Sequence, residues 1–276
     1  MKPAPYNSGL GDTPSAIPEN PNPEFYEAIS TIYDRLYEEI DAAEAVRQWL
    51  LLISRFRPLP ENGRLPLPKL LDLGCGPGRY LEPWATAGFC VVGVDASKGM
   101  IREARRRMAN FSNPSRVSLL CHDLRRPSAD LIRCSPFDIA VAHFNFLNLF
   151  PLKEVQDILH QLRLYLPTGS RFVTDCAPPS LIPPPGKETL QLGPDLKIQL
   201  VTEPDPRNRF VTQIYRREGN ELREKYWFHT TPELARVAQR TEWELEAVYS
   251  WQPDRPLQPW SPRRRSSAHR VCIFKT

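Results

Sequence analysis

A short apolar stretch, Lys69–Leu73 (KLLDL), runs directly into three glycines at alternate positions, Gly74-Cys75-Gly76-Pro77-Gly78. The stretch reads as a buried strand, and Arg79–Ala87 beyond the glycines reads as a helix. A strand that turns through glycines straight into a helix leaves few architectures open. The glycines allow a tight turn and the close approach of a ligand to the backbone. The helix N-terminus that follows presents unpaired N–H groups.

The alternation continues downstream. Phe89–Val94, Val117–Cys121, Phe137–Ala142 and Arg171–Cys176 read as strands, and Lys98–Asn110 and Lys153–Leu166 as amphipathic helices. Strands and helices in turn, with short connections, imply a parallel sheet covered on both faces. Upstream, Ile29, Ile32, Tyr33, Leu36, Tyr37 and Ile40 recur at three- and four-residue steps. They predict a helical segment from Phe25 to Phe56, with a second helix holding Val46, Trp49, Leu50 and Ile53. After Cys176 the apolar period falls to two over residues 187–229, which predicts three or four antiparallel strands. Thr230–Arg240 returns to helix with Thr231 as its N-cap, and Trp243–Trp251 and Ala268–Phe274 are two closing strands joined by a Pro/Arg loop.

Proline punctuates this order. The chain holds 30 prolines in 276 residues. Six lie in residues 1–23, four in 58–68, five in 178–185 and four in 253–262. Proline lacks an N–H and fixes φ, so these runs predict tails and loops. They divide the chain into a disordered arm (1–23), helices and a ligand-binding core (24–176), an antiparallel β cap (177–229), and a last helix with a closing hairpin (230–276).

The net charge of +4 is too weak to imply nucleic acid by itself. None of the six cysteines forms C-x-x-C and no histidine pair has zinc spacing, so the reading is a reducing, cytoplasmic compartment and no metal site. No apolar h-region follows Lys2 and no apolar run reaches membrane-spanning length.

The loop is not a nucleotide-triphosphate loop, which needs G-x-x-x-x-G-K-[ST]. Nor is it a dinucleotide fingerprint, because Arg79 stands where the third dinucleotide glycine would be. Instead, carboxylates follow three successive strands. Asp72 precedes the loop by two residues and suits an ammonium group. Asp95 ends the next strand, 21 residues after Gly74, and suits ribose hydroxyls. Asp123 lies just past the third strand and suits an exocyclic amine. Ammonium, ribose and adenine together describe S-adenosylmethionine.

Asp72–Arg79, Val91–Ser97 and Cys121–Leu124 resemble the first three cofactor motifs of class I S-adenosylmethionine-dependent methyltransferases. The resemblance implies a Rossmann-like, doubly wound α/β sheet of seven strands with an antiparallel last strand. By it, Asp72, Gly74, Gly76 and Gly78 surround the methionine portion with Cys75 as a small loop residue between them, Asp95 binds the ribose with Ala96 beside it, and Met100, Asp123 and Leu124 contact the adenine. Tyr33 and Ala142 complete the cofactor site, and S-adenosylhomocysteine is the product.

Phe25-Tyr26, Ile32–Tyr37 and the loop Ala142–Asn148 further resemble the helical cover and fourth-strand loop of small-molecule methyltransferases. The types in question are the sugar N,N-dimethyltransferases and the glycine/sarcosine methyltransferases. The resemblance implies O- or N-methylation of a small acceptor enclosed by cover and cap. Tyr26 and His143 are the candidate catalytic groups, with His143 either a base or a wall of the cofactor site. Rival readings are a methyltransferase acting on RNA, peptide or protein, for which Arg263-Arg264-Arg265 is the phosphate-binding candidate, and a non-catalytic scaffold. Oligomeric state is not legible.

Overall fold

The computed structural model describes residues 22–56, 66–252, 255–259 and 269–276. Three helices come first: α1 (Asn22–Ile29), α2 (Tyr33–Leu36) and α3 (Ala42–Ile53). The helical cover therefore begins at Asn22, two residues before the boundary read from the sequence. Pro23 sits in the first turn, where its missing N–H costs nothing. The rest of the expected arm lies outside the described residues.

The core then alternates β1 (Lys69–Leu73), α4 (Leu81–Thr86), β2 (Cys90–Asp95), α5 (Lys98–Met108), β3 (Val117–Cys121), α6 (Ala129–Cys134), β4 (Ile139–Ala142), α7 (Leu152–Leu162) and β5 (Arg171–Cys176). The helix α6 was not foreseen. Ser128 caps it, accepting from the Leu131 N–H at 3.2 Å, and Leu131 is the residue it buries. The cap is β6 (Gly186–Gln191), β7 (Lys197–Asp205), β8 (Phe210–Arg217) and β9 (Asn220–Trp227), a four-stranded antiparallel meander. Then come α8 (Thr231–Arg240), β10 (Glu244–Gln252), β11 (Arg255–Pro259) and β12 (His269–Lys275). The cap residue of α8 is Thr230, not Thr231. Its hydroxyl and the Glu233 carboxylate form a reciprocal capping box.

The main sheet runs β11-β10-β12-β5-β4-β1-β2-β3. Strands β1 to β5 are parallel, and β12 enters antiparallel between β5 and β10. Seven strands were expected. The eighth, β11, comes from the segment read as a Pro/Arg loop, and it pairs with β10 past a register shift at Ser250/Gln252. Its prolines are tolerated because it lies at the sheet edge, where a missing donor breaks no inner ladder.

Alternate side chains of each inner strand feed different cores. Leu71 and Leu73 face α7 and α8 with Phe137, Ile158, Leu159, Phe172 and Trp243. Leu70 faces α3, α4 and α5 with Trp49, Trp84, Val91 and Ile101. The sheet order reverses between β1 and β4, so a crevice opens at the carboxyl ends of those strands. The helix α1 lies across that crevice. Phe25 and Ile29 pack against Met100 of α5 and against Ile198, Leu200 and Tyr215 of the cap.

Candidate active site

The glycine loop owes its path to backbone conformation. Gly74, Gly76 and Gly78 all have positive φ, at 63°, 54° and 81°. A Cβ on Gly74 would lie 2.6 Å from the Phe146 ring, so that glycine lets the two loops meet. A Cβ on Gly78 would lie 2.9 Å from Leu81 and 3.1 Å from Ala104, so the third glycine serves helix packing. Asp95 holds the loop from the next strand. Its carboxylate accepts from the Gly76 N–H at 2.9 Å and from the Ser97 N–H at 2.8 Å. Burial pushes this carboxyl up and those two donors hold it down, leaving it near 6.

Above the loop lies a partly open cavity of about 100 Å³. Its wall brings together ten of the residues singled out in the sequence: Tyr26, Tyr33, Gly74, Gly76, Asp95, Ala96, Met100, Asp123, Leu124 and His143. Four others do not reach it. Gly78 is a packing residue, Cys75 is buried in the core beside Gly93, and Ala142 is wholly buried under the sheet. Asp72 lies buried beneath the loop, and its Oδ2 has no hydrogen-bond partner. Desolvation, and then the Asp95 charge, raise the Asp72 carboxyl to about 8.

His143, the candidate base or wall residue, is enclosed by aromatic rings. The imidazole is stacked between Trp49 and Tyr80, with ring centroids 3.8 and 3.9 Å away. Its Nε2 lies 3.1 Å from the Trp84 indole N–H, which is a donor only. Burial lowers the imidazole to about 3. The ring is a neutral panel of the wall.

The fourth-strand loop is shaped by its backbone, and Arg125 adds a wall residue that the sequence did not signal. Phe144 and Asn145 adopt left-handed φ values of 71° and 58°, which turn the Phe144 ring into the cavity. Asp175 supports this turn, accepting from the Asn145 N–H at 3.1 Å. Arg125 forks onto Asp123 through Nε and Nη2, at 2.9 and 2.7 Å, and reaches Glu154 at 2.9 Å through Nη1. Burial pushes Asp123 up, but the Arg125 bonds outweigh it and keep the carboxyl below its usual range.

The cover is fastened by ions and amides. Asn22 donates to the Leu149 and Lys225 carbonyls, each at 2.9 Å, and accepts from the Lys225 N–H at 2.7 Å. Glu27 accepts from the Gly99 N–H and the Ser97 hydroxyl, both at 2.8 Å. Asp34 takes Arg79 at 3.0 Å and also pairs with Arg107, which itself donates to the Pro77 carbonyl at 3.0 Å. Arg107 is thus a clamp between the cover and the glycine loop. His229 is buried, and its Nε2 faces the Leu147 and Phe150 carbonyls at 3.2 and 3.0 Å. The Arg263–Arg265 run lies outside the described residues.

At the acceptor end, the Tyr26 hydroxyl donates to Glu224 of the cap, whose side chain is fully buried. Desolvation raises the Glu224 carboxyl to about 7, against the lowering pull of its tyrosine donors.

Comparison with known proteins places this arrangement. Residues 70–169 match the model of a methyltransferase domain. A demethylmenaquinone methyltransferase from Renibacterium salmoninarum is 25% identical over 162 residues, 56% of this chain and 61% of its own length. The chain therefore spans less than two thirds of that relative. The CcbJ methyltransferase of Streptomyces caelestis superposes with a TM-score of 0.71 at 21% identity, covering 91% of this chain and 98% of that one. CalS10 of Micromonospora echinaspora, an amino pentose methyltransferase seen with S-adenosylmethionine bound, gives 0.62 at 18% identity, covering 89% and 97%. Residues 70–169 form a methyltransferase domain, and the chain around them has the fold of the S-adenosylmethionine-dependent methyltransferases.

Proposed function

We propose that the chain transfers a methyl group from S-adenosylmethionine to an oxygen or nitrogen of a small-molecule acceptor. The observation that carries this reading is the cavity itself. Glycine-loop backbone, the Asp95 and Asp123 carboxylates and Met100 line it together with Tyr26 and Tyr33 of the cover. Asp72, buried beneath the loop with its Oδ2 unpaired, sets a carboxyl under the place where a ligand's ammonium would lie. Asp95 is held at the end of β2, where ribose hydroxyls can reach it, while Met100 and Leu124 offer apolar surface to a base.

When bound, the cofactor supplies an electrophilic methyl on a sulfonium. The protein then needs chiefly to align the nucleophile and exclude water. The aromatic residues Tyr26, Tyr33, Phe144, Phe146 and Phe150 on the cavity wall suit water exclusion. Cover and cap, joined through Asn22, leave a site scaled to a small acceptor. We place the activity in a reducing cytoplasm. All six cysteines are free, including Cys176 and Cys272, whose sulfurs lie 3.7 Å apart. No helix among the described residues is long and apolar enough to cross a membrane.

Calorimetric titration with S-adenosylhomocysteine tests the proposal. Binding in the micromolar range is expected, weakened about tenfold or more in Asp95→Ala by loss of charge-assisted hydrogen bonds. No binding by the intact chain would sink it.

A further inference from the structure

The cap holds one acid that the cofactor site does not use. Glu224 lies on β9, opposite Gln213 of β8, and its side chain is wholly buried. Its neighbours are phenols. Tyr26 of α1 donates to Oε1, Tyr215 of β8 approaches Oε2 at 3.4 Å, and Tyr226, two residues along β9, also hydrogen-bonds the carboxylate. Tyr37 hydrogen-bonds Tyr226 and Tyr215, and Tyr33 packs on Tyr37 with centroids 4.9 Å apart. Among the described residues no lysine or arginine pairs with Glu224.

This is an expensive arrangement for a structural purpose. A carboxylate taken from water without a cation loses far more than three phenol donors return. A cap strand needing only packing would be better served by an apolar residue. What the cluster does offer is a negative charge behind a set of aromatic faces, the chemistry that holds an ammonium. The cluster opens on the cavity. Tyr26 and Tyr33 line both, and the Phe144 ring, also on the cavity wall, packs edge-on against Tyr37 at 4.6 Å.

We propose that the acceptor is an alkylamine, bound as its ammonium against Tyr26 and Tyr33, with Glu224 as its counter-charge and its proton sink through the Tyr26 hydroxyl. This rests on the methyltransferase reading and narrows it to nitrogen. An ammonium has no lone pair and must lose a proton before it attacks. That proton passes to the Tyr26 oxygen as the Tyr26 proton passes to Glu224, which becomes a neutral carboxylic acid. The freed lone pair then forms the N–CH3 bond while the S–CH3 bond breaks. S-adenosylhomocysteine and an N-methylammonium leave, and Glu224 returns its proton to water. Tyr26 touches the acceptor, whereas Glu224 acts through it. Burial places the Glu224 carboxyl near 7, so it exchanges a proton in the neutral range.

The test uses the full chain saturated with S-adenosylhomocysteine and two probes of one shape, cyclohexylamine and cyclohexanol, titrated by ligand-observed NMR. The amine is expected to bind about tenfold or more tighter than the alcohol at pH 8. That preference should fade as pH falls through about 7, where Glu224 is protonated and the amine is still an ammonium. The other titratable groups facing this cluster are Tyr26, Tyr33, Tyr37, Tyr215 and Tyr226, all raised by burial and neutral throughout that window. Arg79 lies near Tyr33 and Tyr37, and Asp95, which burial raises to about 6, lies near Tyr33, so its titration falls below the Glu224 limb. Glu224→Gln should abolish both the preference and its pH limb while S-adenosylhomocysteine still binds. Equal binding of the probes, no amine binding, or a preference that survives in Glu224→Gln overturns the proposal. The wild-type comparison needs no variant to fold. Failure to bind S-adenosylhomocysteine would instead overturn the methyltransferase reading itself.

Discussion

The Trp84 indole N–H donates to Nε2 of His143 at 3.1 Å, and this bond fixes the tautomer of a histidine buried beside the cofactor cavity. With Nε2 accepting, the ring proton sits on Nδ1, and neither nitrogen is left as a ready base. His143→Ala should therefore remove packing rather than proton transfer. It opens the stack between Trp49 and Tyr80 and strands the Trp84 donor, a loss of about 3 kcal/mol on the scale of buried aromatic truncations. Urea unfolding measures the loss. The acid limb of any pH–rate profile should be the same in His143→Asn as in wild type; a limb that vanishes with the imidazole would restore the base role.

Gly99 marks where the cover meets the core. Its N–H donates to Glu27 at 2.8 Å, and an added Cβ would stand 2.5 Å from the Ser30 hydroxyl. Gly99→Ala should push α1 off the N-terminus of α5 and cost about 1–3 kcal/mol, the range for overpacking. Because α1 carries Tyr26, cofactor affinity should fall with stability. Ser30→Gly removes the clashing atoms, so the double variant should recover most of both. Additive losses in that cycle would show that the two residues do not oppose each other.

What could be read from the sequence was whatever local chemistry dictates. Gly74, Gly76 and Gly78 take positive φ because no other residue does so cheaply, and Asp95 sits at a strand end because the apolar period stops there. The cap was legible from its two-residue period. Groups whose meaning comes only from partners distant in sequence were not. Asn22 meets Lys225 across 203 positions, and Arg107 meets Asp34 across 73. Glu224 looked like one more polar residue on an alternating strand until Tyr26, 198 positions away, was brought against it. The surroundings of His143 were hidden for the same reason, since nothing local announces Trp49 on one face and Tyr80 on the other. Edge strand β11 was hidden by its prolines, which argue against an inner strand but not against an outer one.

Cofactor affinity should rise with pH. Burial raises Asp72 to about 8 and Asp95 to about 6, and the ammonium and ribose of the ligand favour their ionised forms. Binding then releases protons, so S-adenosylhomocysteine should bind more tightly as pH goes from about 5.5 to 8.5. Calorimetry in two buffers of different ionisation enthalpy counts the protons released. A flat affinity across this window would separate Asp72 from the ammonium.

The free protein should show the opposite trend in stability. Asp72 near 8, Asp175 near 7, Glu224 near 7 and Asp95 near 6 all lie above their unfolded values of 3.8 or 4.5. The folded chain therefore binds protons that the unfolded chain has released, and unfolding free energy falls as pH rises from about 4.5 towards 8. At the acid end the sign reverses. Glu233, held near 2 by Arg209, and Asp123, held low by Arg125, contribute stability that is present above about pH 4 and lost below it. His143 and His229, buried neutral and lowered to about 3 and 4, act in the same sense and lose stability as pH falls below about 6.5, so the opposing trends cross near pH 5, where the urea midpoint of the cofactor-free protein should peak. Saturating S-adenosylhomocysteine stabilises the ionised Asp72 and Asp95, so it should move that peak towards neutral pH. A peak already at pH 7 or above without ligand would mean that these buried acids ionise freely, and that water reaches them.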